Sequence, residues 1–290
     1  VRRYFARSGT SISIMNIEVP ERAKYLRTIW SELSRTHSHL MWLGLLADAF
    51  GFESLFMHSW RIREQILDIF EETTGGRVIF SVCDVGGVRK DISSEMLGKI
   101  VGILNDVEKE LKELTRVFIN DSSVKARTVG VGVLTKEMAY DLGAVGPMAK
   151  ASGLEYDMRL QGYNAYGKLD FKPITAKRGD CYARTTVRIK EIFQAIDLIR
   201  QCIATIPDGE IKAKIKGNPD GEHFTRVEQP RGEAIYYVKA NGTKFLDRVR
   251  VRTPTFANMP ALLETLKGCA LADVPMLILT IDPCISCTER

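Results

Sequence analysis

With 290 residues, 45% of them apolar and 27% charged, the chain has the composition of a folded protein with an ample core rather than of a disordered segment. Its net charge of +5 is spread along the sequence, which reads as an ordinary solvated surface and does not argue for a nucleic-acid partner. The most apolar stretch, Leu40 to Phe50, falls short of the roughly 20 residues a membrane-spanning helix needs and contains Asp48; Arg2, Arg3 and Arg7 lead into no apolar signal-peptide run. Any service to a membrane is therefore expected through a partner.

Residues 1–16 show no sustained helical period and read as a terminal arm, or as the remnant of a longer segment. Pro20 then opens a strong helical pattern. Tyr25, Leu26, Ile29, Trp30, Leu33, His37, Leu40 and Met41 recur at three- and four-residue spacing until Gly51. On such a helix His37 and His39 point in different directions and do not form a ligand pair. Asp48 lies on its apolar stretch, where an unpaired carboxylate is costly and tends to stay protonated. A second helix is expected over 54–72, closed by Gly75-Gly76, and a short strand over 77–82. A third helix over 94–118 carries the stripe Leu97, Ile100, Val101, Leu104, Val107, Leu111 and Leu114. These helices are expected to bundle.

From 128 to 180 the chain is rich in glycine and polar turns, with helical pieces at 135–142 and 145–152; a fourth long helix spans 182–205. A polar connector is expected from Pro207 to Pro230. Strand-like runs at 233–240 and 244–252 meet around Asn241-Gly242, a strong hairpin signal. A helix at 259–268 follows, and Pro275 to Ile281 reads as a buried strand. The expected fold class is thus mainly α with a small β element (α+β). A long-helix bundle core would be followed by a β-hairpin and a C-terminal strand leading to the last cysteines. The expected division is an irregular arm at 1–17, a helical core at 18–225, and a hairpin and cysteine segment at 226–290 packed on that core.

Of six cysteines, Cys83, Cys181, Cys202 and Cys269 stand singly in apolar or mixed surroundings and read as free thiols in a reducing compartment. Cys284 and Cys287 are different. Spaced i and i+3 in Asp282-Pro283-Cys284-Ile285-Ser286-Cys287-Thr288-Glu289-Arg290, they can turn both sulfurs toward one soft metal, and the preceding apolar run is expected to bury them away from water. Structural zinc wants four ligands, and no second CxxC or paired His/Cys is present. A redox dithiol usually opens a helix in a βαβ setting, and this pair is expected after a strand.

The DPCxxC ending followed by a closing basic residue resembles the C-terminal signature of NiFe hydrogenase large subunits. VPERAKYLRTIWSELSRTHSHLMWLGLLADAFG from Val19, CDVGGVRKD (83–91), ARTVGVGVLTKEMAYDLGAVGP (126–147), ASGLEYDMR (151–159), RGDCYARTTVRIKEI (178–192) and VRTPTFANM (251–259) resemble its energy-converting, membrane-bound group. That group is related to the quinone-module subunit of complex I. The resemblance covers about 17–290. Complex I members lack the terminal cysteines, which favours the hydrogenase branch. The resemblance implies a Ni–Fe centre whose iron carries CO and CN ligands, with Cys284 a terminal nickel ligand and Cys287 a bridge between nickel and iron. It implies that Arg231, in Glu228-Gln229-Pro230-Arg231-Gly232, hangs over the metals, and that Pro254 and Thr255 contact the cyanides. Plainer readings are a salt bridge at the hairpin entry for Arg231 and turn geometry for Pro254 and Thr255. The position matching Asp48 in complex I lies by the quinone cavity, which suggests a proton or coupling path; a satisfied core aspartate is the plainer alternative.

The family's other CxxC, near its start, is not among these 290 residues. The expectation is an N-terminally incomplete chain with an incomplete centre, inactive alone, and closed at Arg290 like the trimmed mature form. The resemblance implies as partners a small 4Fe–4S hydrogenase subunit, other complex I-like hydrophilic subunits, membrane antiporter-like subunits and ferredoxin as electron donor. It places the assembly peripherally on the cytoplasmic face of the membrane. The alternative is a metal-free complex I-like subunit with a coupling role, and a small zinc or redox module is the third reading.

Overall fold

The computed structural model describes residues 14–289, so residues 1–13 of the arm expected at 1–17 fall outside the described residues, as does Arg290. About 56% of the chain is helical, with small antiparallel sheets, as the mainly-α expectation requires. Helix α1 (Glu21–Ala49) begins just after Pro20 and runs through the centre, packed along α2 (Glu53–Thr74). After the two-residue strands β1 (Cys83–Asp84) and β2 (Gly87–Val88) comes α3 (Ser94–Asn120). The Ser93 hydroxyl caps α3 by accepting the Met96 N–H. Its stripe from Leu97 to Leu114 is buried except for the half-buried Val101.

Short helices α4 (Ser122–Thr128), α5 (Lys136–Asp141) and α6 (Pro147–Ala151) lead to α7 (Cys181–Thr205), which packs on α1 and α3. Asp180 caps α7 through the Ala183 N–H and also accepts the Gly130 N–H, tying the glycine-rich segment to the bundle. Buried members of α1, α2, α3 and α7 make one continuous apolar core.

Three expectations need correction. The connector before Pro230 contains a strand, β3 (Asp220–Gln229), which pairs antiparallel with β4 (Gly232–Asn241); β4 pairs in turn with β5 (Leu246–Arg252). The N-terminal half of β3 faces solvent, so its sequence carries little apolar alternation. Second, 77–82 is not a strand; Phe80 instead stacks on Phe70 with ring centroids 3.6 Å apart. Third, the apolar run expected as a C-terminal strand is helical.

That run follows α8 (Pro254–Thr265) and forms α9 (Val274–Thr280), which buries Met276, Leu277 and Thr280 at helical spacing while Ile278 faces outward. A short apolar run does not tell strand from helix by itself. The last carbonyls of α9 are taken by side chains from the bundle: Trp42 Nε1 donates to Leu279 O and Arg188 Nη2 to Thr280 O, both at 2.6 Å. Among the described residues, no helix is long and apolar enough to cross a membrane.

Candidate functional site: the C-terminal cysteine turn and the charged core

Asp282 reverses the chain after α9. It is buried and adopts φ 54°, a left-handed conformation that a non-glycine residue holds only under local constraint. Arg231 supplies that constraint. Its Nε donates to Asp282 O at 2.7 Å and its Nη2 to Asp282 Oδ1 at 3.0 Å. Arg231 itself sits in the Pro230–Arg231 turn between β3 and β4. Gly232 (φ 126°) there lies so close to Gly146 that a Cβ would meet the Gly146 nitrogen at 2.7 Å. Burial pushes the Asp282 carboxyl above its usual range, although Arg231 and Arg188 pull it down; among the described residues its Oδ2 has no hydrogen-bond partner.

Cys284 stands at the N-terminal boundary of α10 (Ile285–Thr288), and the Cys287 N–H returns to Cys284 O at 2.9 Å. The start of α8 holds this turn. Thr255 Oγ1 accepts the Cys284 N–H at 3.3 Å, and the Thr253 hydroxyl donates to Cys287 O. Burial pushes the Cys284 thiol up, but the Ser286 hydroxyl, the Cys287 thiol and N–H, and the Arg231 charge bring it below its ordinary value. The pair is half-buried beside the exposed Ile285, so the expectation of cysteines sealed from water is corrected: a one-turn helix at the surface lacks the cover a central strand would have.

The fold therefore brings Arg231, Thr255, Cys284 and Cys287 together, with Pro254 buried at the first position of α8. Asp48 is not among them. It is solvent-exposed near the end of α1, ten residues or about 15 Å along the helix from Ser38, which lies 3.4 Å from Arg231. The costly buried carboxylate expected there is not present. A Ni–Fe centre of the implied type needs four thiolates. The described residues present two, and no group of three His, Cys, Asp or Glu that could hold a metal forms among them. This donor set does not fit a complete centre.

Behind the turn lies a charged core that the sequence reading missed. Arg188 stacks on Trp42 at 4.1 Å and faces both Asp282 and Glu191. Burial pushes the Arg188 guanidinium down to about 10 despite those two carboxylates. The Lys150 ammonium directs its three N–H groups to Asp157 (2.8 Å), Glu191 (2.6 Å) and Glu228 (3.2 Å). Burial alone would neutralise Lys150, but Asp157 and Glu191, then Glu228, hold it above its ordinary value. Arg159 clamps Asp157 and reaches Glu32, which also accepts from Arg35 and Tyr166. His39 Nε2 lies 2.8 Å from Glu191, and burial drives the imidazole down to about 4 in spite of that carboxylate. His37 turns instead to Arg63, so the two histidines do diverge. A signal was present: Glu32, Arg35 and His39 recur at helical spacing on a helix whose neighbours are core residues.

Residues 49–218 and 213–290 match the family described as the respiratory-chain NADH dehydrogenase 49 kDa subunit. The chain belongs to that family. This 49 kDa-family chain is also 40% identical over 281 residues to the carbon monoxide-induced hydrogenase of Rhodospirillum rubrum, covering 96% of the chain and 78% of that protein. It is 39% identical over 294 residues to the membrane-bound hydrogenase subunit alpha of Pyrococcus furiosus, covering 94% and 68%. It is 38% identical over 292 residues to one of the subunits of the F(420)H(2) dehydrogenase of Methanosarcina mazei, covering 97% and 78%. The chain's relatives thus include proteins named for hydrogenases and for a dehydrogenase, and family membership alone does not choose a chemistry.

Proposed function

We propose that the chain is the complex I-like, 49 kDa-type subunit of a membrane-associated oxidoreductase complex, acting as its coupling element rather than through a metal centre of its own. The observation that carries this reading is the wholly buried charged core, linked through Arg188 to the Arg231–Asp282 turn. A charge change at the turn is felt in the core because little water screens it there. The relatives named as subunits of multisubunit enzymes support complex I-like partners. In this reading the subunit sits peripherally on the cytoplasmic face, beside an iron–sulfur subunit that delivers electrons and antiporter-like membrane subunits that move ions.

A second reading rests on the cysteine turn. Cys284 and Cys287 close under Arg231, as half of a Ni–Fe site would require, and two relatives are named hydrogenases. The complex would then evolve or consume H2 with ferredoxin electrons, and two further thiolates would come from outside these residues. One pair of measurements separates the readings. Cys287→Ser in the complete complex should leave hydrogen evolution and nickel content unchanged if the subunit only couples. Loss of both assigns it the hydrogenase role.

A further inference from the structure

The carboxylates of the charged core are not equally held. Glu32 accepts from Arg35, Arg159 and Tyr166; Asp157 from Lys150 and Arg159; Glu191 from Lys150 and His39. Among the described residues Glu228 has one side-chain donor, Lys150, at the longest of that ammonium's three contacts, and otherwise only the Met158 N–H at 3.1 Å. The guanidinium of Arg35 passes its carboxylate by and donates to the backbone carbonyls of Glu228 and Gln229. The hydrogen-bonded cluster sets three cations, Arg35, Lys150 and Arg159, against four carboxylates, Glu32, Asp157, Glu191 and Glu228, all of them buried. Within that hydrogen-bonded set the carboxylates outnumber the cations by one; Arg188, the next buried cation, faces Glu191 but gives its N–H groups to backbone carbonyls.

We propose that Glu228 is a proton-binding site, the carboxyl on which the core holds one exchangeable proton, three residues from Arg231 at the base of the same turn. Uptake forms one O–H bond on the Glu228 carboxylate, moves no electrons, and takes the cluster from a formal charge of −1 to zero. Burial without full pairing makes the neutral form the cheaper one. It drives the Glu228 carboxyl above its ordinary range, with Asp157 adding to the rise and Lys150, Arg35 and Arg159 opposing it.

The groups that face it from other elements do not supply the missing charge. His39 on α1 is neutral at physiological pH. Tyr163 is hydrogen-bonded to the Glu228 N–H, and burial holds its phenol protonated. Tyr166 is likewise kept protonated by burial and donates to Glu32. Arg188 on α7 gives its N–H groups to the carbonyls of Thr280 and Arg184. Across the hairpin, Glu233 pairs in register with Glu228 but is matched by Arg252 and Arg226. The use of the stored proton, to follow charge changes at the Arg231–Asp282 turn, rests on the coupling reading; its existence does not.

Infrared spectroscopy of the assembled complex at neutral pH tests both parts. A protonated-carboxyl stretch that shifts in D2O is expected. Glu228→Gln, which keeps the shape of the neutral group, should abolish it. Glu228→Asp should restore it at a shifted position. Turnover in Glu228→Gln should fall at least tenfold, with a flattened pH profile, and partly recover in Glu228→Asp. No such band in the native complex, or its survival in Glu228→Gln, overturns the site. Loss of the band with turnover unchanged overturns its use in coupling while leaving the proton where it is.

Discussion

Lys150→Met is the most direct perturbation of the charged core, because it replaces a cation shared by Asp157, Glu191 and the Glu228 carboxyl with an apolar side chain of similar length. Lys150, Asp157, Glu191 and Glu228 are all buried, with contacts of 2.8, 2.6 and 3.2 Å. Stripping one partner from a buried pair costs about 3–5 kcal/mol, since the remaining charge is left without solvent. Domains hold about 5–15 kcal/mol in total, so this single change should remove about a fifth of the stability or more. With a urea slope of about 2–3 kcal/mol per molar, the unfolding midpoint should fall by about 1–2 M. A control of equal geometry isolates burial as the cause. Lys99 meets Glu72 at 2.7 Å with both side chains about half exposed, and Lys99→Met should cost below about 1 kcal/mol.

The pH dependence fixes the sign. For both Asp157 and Glu191 burial alone would raise the carboxyl, but the cations around them, Lys150 foremost, win and hold both below their ordinary values. Such groups contribute stability above their unfolded values of about 3.9 and 4.3, and lose it as pH falls through the folded values. The deficit of Lys150→Met should therefore be largest at neutral pH. It should close on acidification, because protonated carboxyls no longer need the ammonium. A cost under about 1 kcal/mol at pH 7, or one that grows toward acid, would refute the account of the core as a charge-paired cluster.

His39 adds a second acid-side slope. Its imidazole is depressed from 6.5 to about 4, so the unfolded chain binds the proton first, and stability should drop as pH falls from 6.5 toward 4. The contribution is on the order of 3 kcal/mol, and urea midpoints of His39→Gln against pH should lose that part of the slope. Gly232→Ala forces a Cβ toward Gly146 backbone atoms at 2.7 and 2.9 Å. It should cost about 1–3 kcal/mol by calorimetry and lower turnover of the complex by displacing Arg231. In the isolated chain at neutral pH, iodoacetamide should label Cys284 well before Cys181 and Cys202, whose thiols burial pushes up to about 11 and about 12. Mass spectrometry of the labelled peptides gives the order.

The four long helices were legible because their apolar members repeat every three or four residues, and capping residues such as Ser93 and Asp180 stand where the pattern begins. The cysteine turn and its neighbours Arg231 and Thr255 could be placed from motif and resemblance. Asp282 was visible only as part of the DPC string; its role appears once φ 54° and the Arg231 contacts are known. Strand β3 escaped because half of it faces solvent, so no alternation marks it. Helix α9 escaped for the opposite reason, an apolar run too uniform to show a period. The charged core was the largest omission. Its members come from α1, α6, the 157–159 segment, α7 and β3, up to 196 positions apart in Glu32 and Glu228, and only folding brings these opposite charges together.

That core bears on function through its energetics. A buried ionic cluster contributes little net stability compared with apolar side chains of the same volume, yet removal of any one member is severe. The fold already has a continuous apolar core among α1, α2, α3 and α7, so packing alone gives no reason to place Lys150, Arg159 and Glu191 beyond the reach of water. What such a cluster does supply is a low-dielectric medium of fixed charges in which one added or removed charge is felt over several ångströms. The Arg231–Asp282 turn stands at its edge, with the cysteine pair on the outer side and Arg188 on the inner. A charge change at the half-buried turn would therefore be felt across this network.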